Sequence, residues 1–337
     1  MPRLSQPARV VHGLHHITAI AGPAQENLDF YAGVLGMRLV KRSVNQDDPG
    51  TYHLFYADAV GHPGSDLTFF PWDTAAPPRI GHGLANEVSL EIPEGTMSYW
   101  AARLEKYGFS PRGPQQRFGD SLLQVVDPHG LHLALVEPGI VPSRAFEPWD
   151  GGPVDGAHQI RGLYGAQVWE RESAPTIEFM TSVLGFQLIA SDGEWTRYGF
   201  PDAAGIIDLR ETPNERRGAW GRGAVHHLAW RVDDEEHAVT VRAQVEQFGA
   251  RPTPVIDRFW FKSVYFKEPG GVLFEIATEG PGFGVDEDPA HLGEQLVLPP
   301  FLESMRPQIE QGLPPLTLPM PARTQGAPRS EAAPTKV

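Results

Sequence analysis

The sequence contains no cysteine, which excludes disulfides, thiolate metal sites and a cysteine nucleophile. Positive charge is scarce: 28 Lys and Arg stand against 42 Asp and Glu, a formal charge of −14. Nucleic acids and anionic membrane surfaces both select a basic face, so neither is an expected partner. No stretch of about 20 apolar residues is available to cross a bilayer. The opening MPRLSQPARVV also lacks the apolar run of a secretory signal. A cytoplasmic protein is expected. With 337 residues and 41% hydrophobic content the chain has material for two domains with a sizeable core.

What the sequence has in abundance is repetition. GLHHITAIAG begins at Gly13 and GAVHHLAWRV at Gly223. Each sets a His-His pair inside an apolar, strand-like phrase, where unpartnered imidazoles are costly. Around these phrases the same order of elements recurs four times. The first copy runs LHHITAI, the helical PAQENLDFYAGVLG, then MRLVKRSV, YHLFYAD and SDLTFFP. In its helix Leu28, Phe30, Tyr31 and Leu35 fall near 3.6-residue spacing, and Gly36 is a natural stop.

The second copy reads LANEVSLEI, MSYWAARLEKYG, LLQVVD and LHLALVE, and the third LYGAQVWE, SAPTIEFMTSVLG, FQLIAS, TRYGF and GIIDLRE. The fourth reads VHHLAWRV, EHAVTVRAQVEQFG, DRFWFKSVYF and GVLFEIA. Four such units in series indicate duplication, and an α+β fold of four βαβββ modules forming two paired-module, barrel-like domains. The expected division is modules one and two over 11–137, a Pro- and Gly-rich linker over 138–157, modules three and four over 158–282, and a C-terminal region over 283–337. That last region offers a short helix near 300–311 and then a Pro-, Ala- and Ser-rich tail.

If modules pair with pseudo-two-fold symmetry, equivalent strand positions converge. On the first strands His16 aligns with His227, with Glu87 in module two and Gly165 in module three. On the last strands Glu275 aligns with Phe69 in module one, Ala134 in module two, and Asp208 or Leu209 in module three. Modules one and four thus bring together His16, His227 and Glu275, with Phe69 at the fourth place. Two imidazoles and one carboxylate leave several positions free on octahedral Fe(II) or Mn(II). Modules two and three offer no comparable set, so one metal per chain is expected. Consecutive strand residues face opposite ways, which leaves the choice within each pair open. Taking the second histidine lets Thr18 share a face with His16. The plainer alternative is a set of hydrogen-bonded core histidines and an edge-strand carboxylate.

LHHITAIAGPAQENLDFY, YHLFYAD, VHHLAWRV, FKSVYFKEPGGVLFEIATEGPGF and LPPFLESMRPQIEQGLPPL together resemble the ring-cleaving dioxygenases of hydroquinone 1,2-dioxygenase type. These belong to the vicinal oxygen chelate superfamily, with glyoxalase I and the bleomycin-resistance proteins. The resemblance implies Fe(II) on His16, His227 and Glu275, and supporting roles for His15, Thr18, His226, Arg258 and Tyr265. It further implies a small aromatic diol and O2 as substrates. His226 is the expected acid/base, Arg258 a stabiliser of anionic charge, and Tyr265 a hydrogen-bond donor. Phe69, Phe259, Trp260 and Phe261 would wall a flat ring. The plain alternatives pair Arg258 with Asp257 or another acid and make Tyr265 a core aromatic. Rival functions are a glyoxalase-type isomerase or lyase using Ni(II) or Zn(II), and a non-catalytic protein that sequesters a quinone or aromatic toxin. The fold is compatible with a homo-oligomer.

Overall fold

The computed structural model describes residues 10–140, 144–200 and 203–318. Module one comprises β1 (Leu14–Ala21), α1 (Ala24–Leu28), β2 (Arg38–Asn45), β3 (Asp48–Ala57) and β4 (Asp66–Pro71). Its helix continues beyond α1 as a π-helical turn over Asp29–Val34, closed by Leu35 N–H on the Phe30 carbonyl at 2.8 Å. The wider turn lets the adjacent Phe30 and Tyr31 both point into the core with Leu28 and Leu35. Gly36 then reverses the chain at φ 72°. A Cβ there would lie 2.5 Å from the Val154 side chain, so both conformation and packing require glycine.

Module two contains β5 (Leu84–Glu91), α2 (Met97–Lys106), β6 (Arg112–Arg117), β7 (Asp120–Val126) and β8 (His132–Glu137). Strand β6, RGPQQR, is almost wholly exposed and carries no apolar alternation, so the sequence does not announce it. Module three contains β9 (Gly162–Glu170), α3 (Ala174–Ser182), β10 (Gln187–Asp192), β11 (Trp195–Phe200) and β12 (Ala203–Glu211). Module four contains β13 (Val225–Val232), α4 (Glu235–Gln247), β14 (Ile256–Asp257), β15 (Lys262–Lys267) and β16 (Leu273–Thr278). The phrase expected as one strand, DRFWFKSVYF, is broken at Phe259, whose φ is 73°.

These strands form two eight-stranded curled sheets, and the modules are shared between them in a way the linear order hides. One sheet runs β14-β15-β16-β13-β1-β4-β3-β2, joining modules four and one. The other runs β10-β11-β12-β9-β5-β8-β7-β6, joining modules three and two. The expected grouping by halves, 11–137 and 158–282, is therefore not how the sheets are built: each takes one module from each half. Modules one and four come together through the antiparallel pair β1–β13 at the sheet centre.

Beyond β16 the chain forms three short 3-10 turns, the last over Pro300–Met305, and then α5 (Arg306–Gly312). The helix expected near 300–311 is thus half 3-10 and half α. Two hydrogen bonds join Gln25 to Thr317, and Tyr52 donates to the Pro314 carbonyl, so this segment docks on module one. The remainder of the expected tail, 319–337, lies outside the described residues. Among the described residues no helix is long and apolar enough to cross a membrane.

Candidate metal centre and aromatic pocket

The pairing of β1 with β13 slips twice. Leu14 faces Trp230 and His16 faces Ala229, leaving His15 as an extra residue on β1; Thr18 faces His227 and Ala19 faces Val225, leaving His226 as an extra residue on β13. Each slip is a β-bulge, which re-aims side chains that strict alternation would send to opposite faces. Both bulges hold the first histidine of a pair. Consequently His15 and His16 meet Nδ1 to Nδ1 at 2.9 Å, and His226 and His227 do the same at 2.8 Å.

The second histidine of each pair turns its Nε2 to a common point with Glu275. His16 Nε2 and His227 Nε2 lie 3.1 Å apart, and Glu275 Oε2 is 3.2 Å and 2.9 Å from them. All three residues are buried. Ser263 Oγ donates to Glu275 Oε1 at 2.5 Å, whereas Oε2 receives no hydrogen bond of acceptable geometry although water cannot reach it. Burial opposes ionisation of Glu275, but the two imidazoles outweigh it and hold the carboxyl well below its usual range. Three converging ligand atoms, one an orphaned carboxylate oxygen, fit a divalent cation.

The first histidine of the β1 pair sets the tautomer of the second. His15 Nε2 donates to the Thr278 carbonyl at 3.1 Å, so its Nδ1 is left to accept from His16 Nδ1–H. That leaves the His16 Nε2 lone pair for a metal. Burial, reinforced by the His16 charge, pushes His15 down to about 3, and burial with the His227 charge does the same to His226. Both are neutral supports. The His226 ring stacks on Trp220 at 4.4 Å, edge-on to Phe70 and Trp72, behind the pocket rather than in its wall.

Strand pairing also corrects the fourth position. Ala229 pairs with Glu275, and the equivalent pair in module one is Thr18 with Thr68. Glu275 is therefore matched by Thr68, while Phe69 points to the core, 4.3 Å from Tyr31. The conclusion that this place lacks a carboxylate survives. Thr68 Oγ1 instead lies 2.7 Å from Thr18 Oγ1 and 2.9 Å from His53 Nε2. In module three the same register pairs Gln167 with Asp208, resolving the ambiguity there.

Beyond the ligands the pocket is lined by Asn45, Gln46, Asp47, His53, Phe55 and Phe70 from module one, and by Arg258, Trp260, Phe261 and Tyr265 from module four. Of the expected aromatic walls, Trp260 and Phe261 are present; Phe69 and Phe259 are not. Arg258 pairs with Asp47 rather than Asp257, through two contacts of 3.1 Å and 2.8 Å, and lies 5.4 Å from the centre of the Tyr265 ring. The Asp257 carboxylate accepts from Phe259 N–H instead. Burial, then the Glu275 charge, pushes the Tyr265 hydroxyl up, keeping it protonated. His53, its ring tilted against Phe55 at 3.9 Å and Phe70 at 4.5 Å between centres, is a pocket residue that sequence reasoning missed. Its signal lay in the YHLFYAD alternation, where His53 and Phe55 share one face and Leu54 and Tyr56 the other.

Comparison with known proteins agrees with this geometry. The sequence matches the Glyoxalase/Bleomycin resistance protein/Dioxygenase superfamily over residues 13–135 and 167–276. It is 43% identical to MhqO of Bacillus subtilis, assigned as a ring-cleaving dioxygenase, over 91% of this chain and 97% of that one. It is 33% identical to the chlorohydroquinone/hydroquinone 1,2-dioxygenase of Sphingobium indicum, over 89% and 95%. A crystal structure of a Bacillus subtilis protein assigned as a dioxygenase superposes with a TM-score of 0.87 at 42% identity, covering 93% of this chain and 99% of that one. Glyoxalase I from Zea mays, at 15% identity and TM-score 0.59 over 79% and 92%, shares the fold. The chain belongs to the Glyoxalase/Bleomycin resistance protein/Dioxygenase superfamily, and within it is an enzyme of the ring-cleaving dioxygenase group.

Proposed function

We propose that the protein is an iron(II)-dependent dioxygenase that opens the ring of a hydroquinone or catechol with O2, with manganese(II) as the alternative metal. The observation that carries this reading is the set His16, His227 and Glu275 at the inner end of a pocket walled by Phe55, Phe70, Trp260 and Phe261. A relative named for chlorohydroquinone and hydroquinone supports the substrate class. Iron(II) held by these ligands would supply the electron transfer between ring and dioxygen that no side chain provides, and the three-ligand set leaves positions free for both substrates.

The chain's own residues have separable tasks. The aromatic walls receive a flat ring and keep water out. Tyr265 donates a hydrogen bond to a substrate oxygen. Arg258, held by Asp47, stabilises phenolate charge at the pocket wall. His53, which burial keeps neutral, faces the pocket and accepts a bond from a substrate hydroxyl. Thr18 anchors His53 through Thr68. His15 and His226 act through the ligands they orient. The acid/base part expected of His226 thereby passes to the pocket-lining His53.

Oxygen uptake by anaerobically purified, Fe(II)-loaded protein across a panel of substituted hydroquinones and catechols tests the reading. The expected result is uptake matched by ring-opened product, abolished in His227→Ala along with iron retention. Full iron occupancy without oxygen consumption on any diol would reject it.

A further inference from the structure

A second group repeats the donor set of the metal centre at the far end of the same central strands. His12 precedes β1, Asp233 follows β13, and His237 lies in the first turn of α4. His12 and His16 are four residues apart on an extended chain, about 13 Å at 3.3 Å per residue, so the two groups share no ligand.

The three side chains converge on one another. His12 Nε2 lies 3.0 Å from Asp233 Oδ1, and His237 Nδ1 lies 3.4 Å from Asp233 Oδ2. The two rings meet edge to face with centroids 5.5 Å apart. His12 Nε2 is buried and has no hydrogen-bond partner of acceptable geometry. His237 Nε2 donates to the Val10 carbonyl at 2.8 Å, which places the ring proton there; its Nδ1 accepts from Asp233 N–H at a long 3.4 Å and also faces the carboxylate of the same residue. A histidine whose second nitrogen is held by a backbone carbonyl is the usual support of a metal-ligating imidazole. One ligand atom from each residue lies within 4.8 Å of the others, a spacing at which one cation can be held by all three. Nearby Arg231 is occupied, donating to the His12 carbonyl and pairing with Glu279.

We propose that His12, Asp233 and His237 form a second divalent-metal site of zinc type, with water in the fourth tetrahedral position. The ion ties the start of β1 in module one to the start of α4 in module four, across the seam that builds the active site. Asp233 is exposed, so this ion exchanges more readily than one held by the buried set.

The full-length chain, stripped with chelator and titrated calorimetrically with zinc sulfate, tests the proposal. The wild type is expected to show two binding events per chain. His237→Ala and, separately, Asp233→Asn are each expected to weaken the looser event at least about tenfold and leave the tighter one intact. Asp233→Asn spares the α4 cap, because Asp234 makes that bond to His237 N–H. His227→Ala should lose the tighter event and keep the looser, which separates this proposal from the reading of the active site. No second event in the wild type, or a second event unchanged in both His237→Ala and Asp233→Asn, would overturn it.

Discussion

A carboxylate that water cannot reach needs either a cation or a proton, and two buried glutamates of this chain take different routes. Glu275 is fully buried and ionised, with one oxygen left for a metal between His16 and His227. Glu170 is equally buried, but burial and the adjacent Glu268 charge push it up to about 9. Thr176 Oγ1, Gly270 N–H and Val272 N–H all donate to Glu268 at 2.7–2.9 Å. Glu170 therefore takes up a proton on folding. Its folded value lies above the unfolded 4.5, so its contribution to stability is complete below about 4.5 and is lost as pH rises toward 9. Urea unfolding midpoints should fall across that window, and Glu170→Gln should flatten the fall; an equal slope in the variant would refute the assignment. At the metal centre, His226→Gln still offers a carbonyl oxygen to His227 Nδ1–H and should retain metal. His226→Leu should weaken metal binding about 10–100-fold, measurable by competition with a chelator.

At the scale of elements, the bulges at His15 and His226 are what bring two strand phrases together as a candidate metal centre. The repeat that holds them was legible in the sequence because glycine-stopped helices and apolar strands recur four times, and because GLHHITAIAG and GAVHHLAWRV are near copies. The bulges themselves were not legible: strand alternation presumes an unbroken ladder, so it assigned opposite faces to histidines that in fact touch. The unit-one counterpart of Glu275 was placed at Phe69, one residue from Thr68, because SDLTFFP and GVLFEIA share no residue that fixes their alignment, whereas the unbroken β1–β4 and β13–β16 ladders do. The break at Phe259 was hidden too, since a left-handed phenylalanine carries no composition signal, yet it turns Arg258 and Trp260 into the pocket. Trp260 is pinned further by Asp286, which also receives the buried Lys41 at 2.7 Å, beside Glu287. Lys41→Met leaves those acids facing each other and should cost about 3–5 kcal/mol in denaturant unfolding. A loss under about 1 kcal/mol would mean that the acids are free to turn to water.

Across the whole molecule the two sheets are copies that solve one electrostatic problem twice. The second sheet repeats both bulges, with Asn86 and Tyr164 as the extra residues. At the places of His16, His227 and Glu275 it has Glu87, Gly165 and Asp208. There Arg197 grips Asp208 through two bonds of 2.7 Å and 2.9 Å and also pairs with Asp120, while Arg117 pairs with Glu87 at 2.8 Å. Guanidinium groups built into the chain thus occupy the region that in the first sheet holds the candidate ligand set, which accounts for one buried His/Glu set rather than two among the described residues. The consequence is an asymmetry in what metal removal does. Chelation should lower the thermal midpoint, and iron(II) or zinc(II) should restore it by about 2.7 kcal/mol when free metal reaches about 100 times its dissociation constant. Glu275→Gln removes both a ligand and a charge that His16 and His227 hold in place, so its metal-free form should unfold no higher than the metal-free wild type and respond little to added metal. Arg197→Met, in contrast, takes the guanidinium from between buried Asp120 and Asp208, leaving Asp120 only Tyr164 OH and Gly139 N–H and Asp208 only Arg117 at 3.8 Å, and should cost about 3–5 kcal/mol whether or not metal is present. Calorimetric unfolding of the three proteins with and without metal distinguishes these cases. A metal-free wild type as stable as the loaded one would show that the first sheet, like the second, carries its own compensating charge.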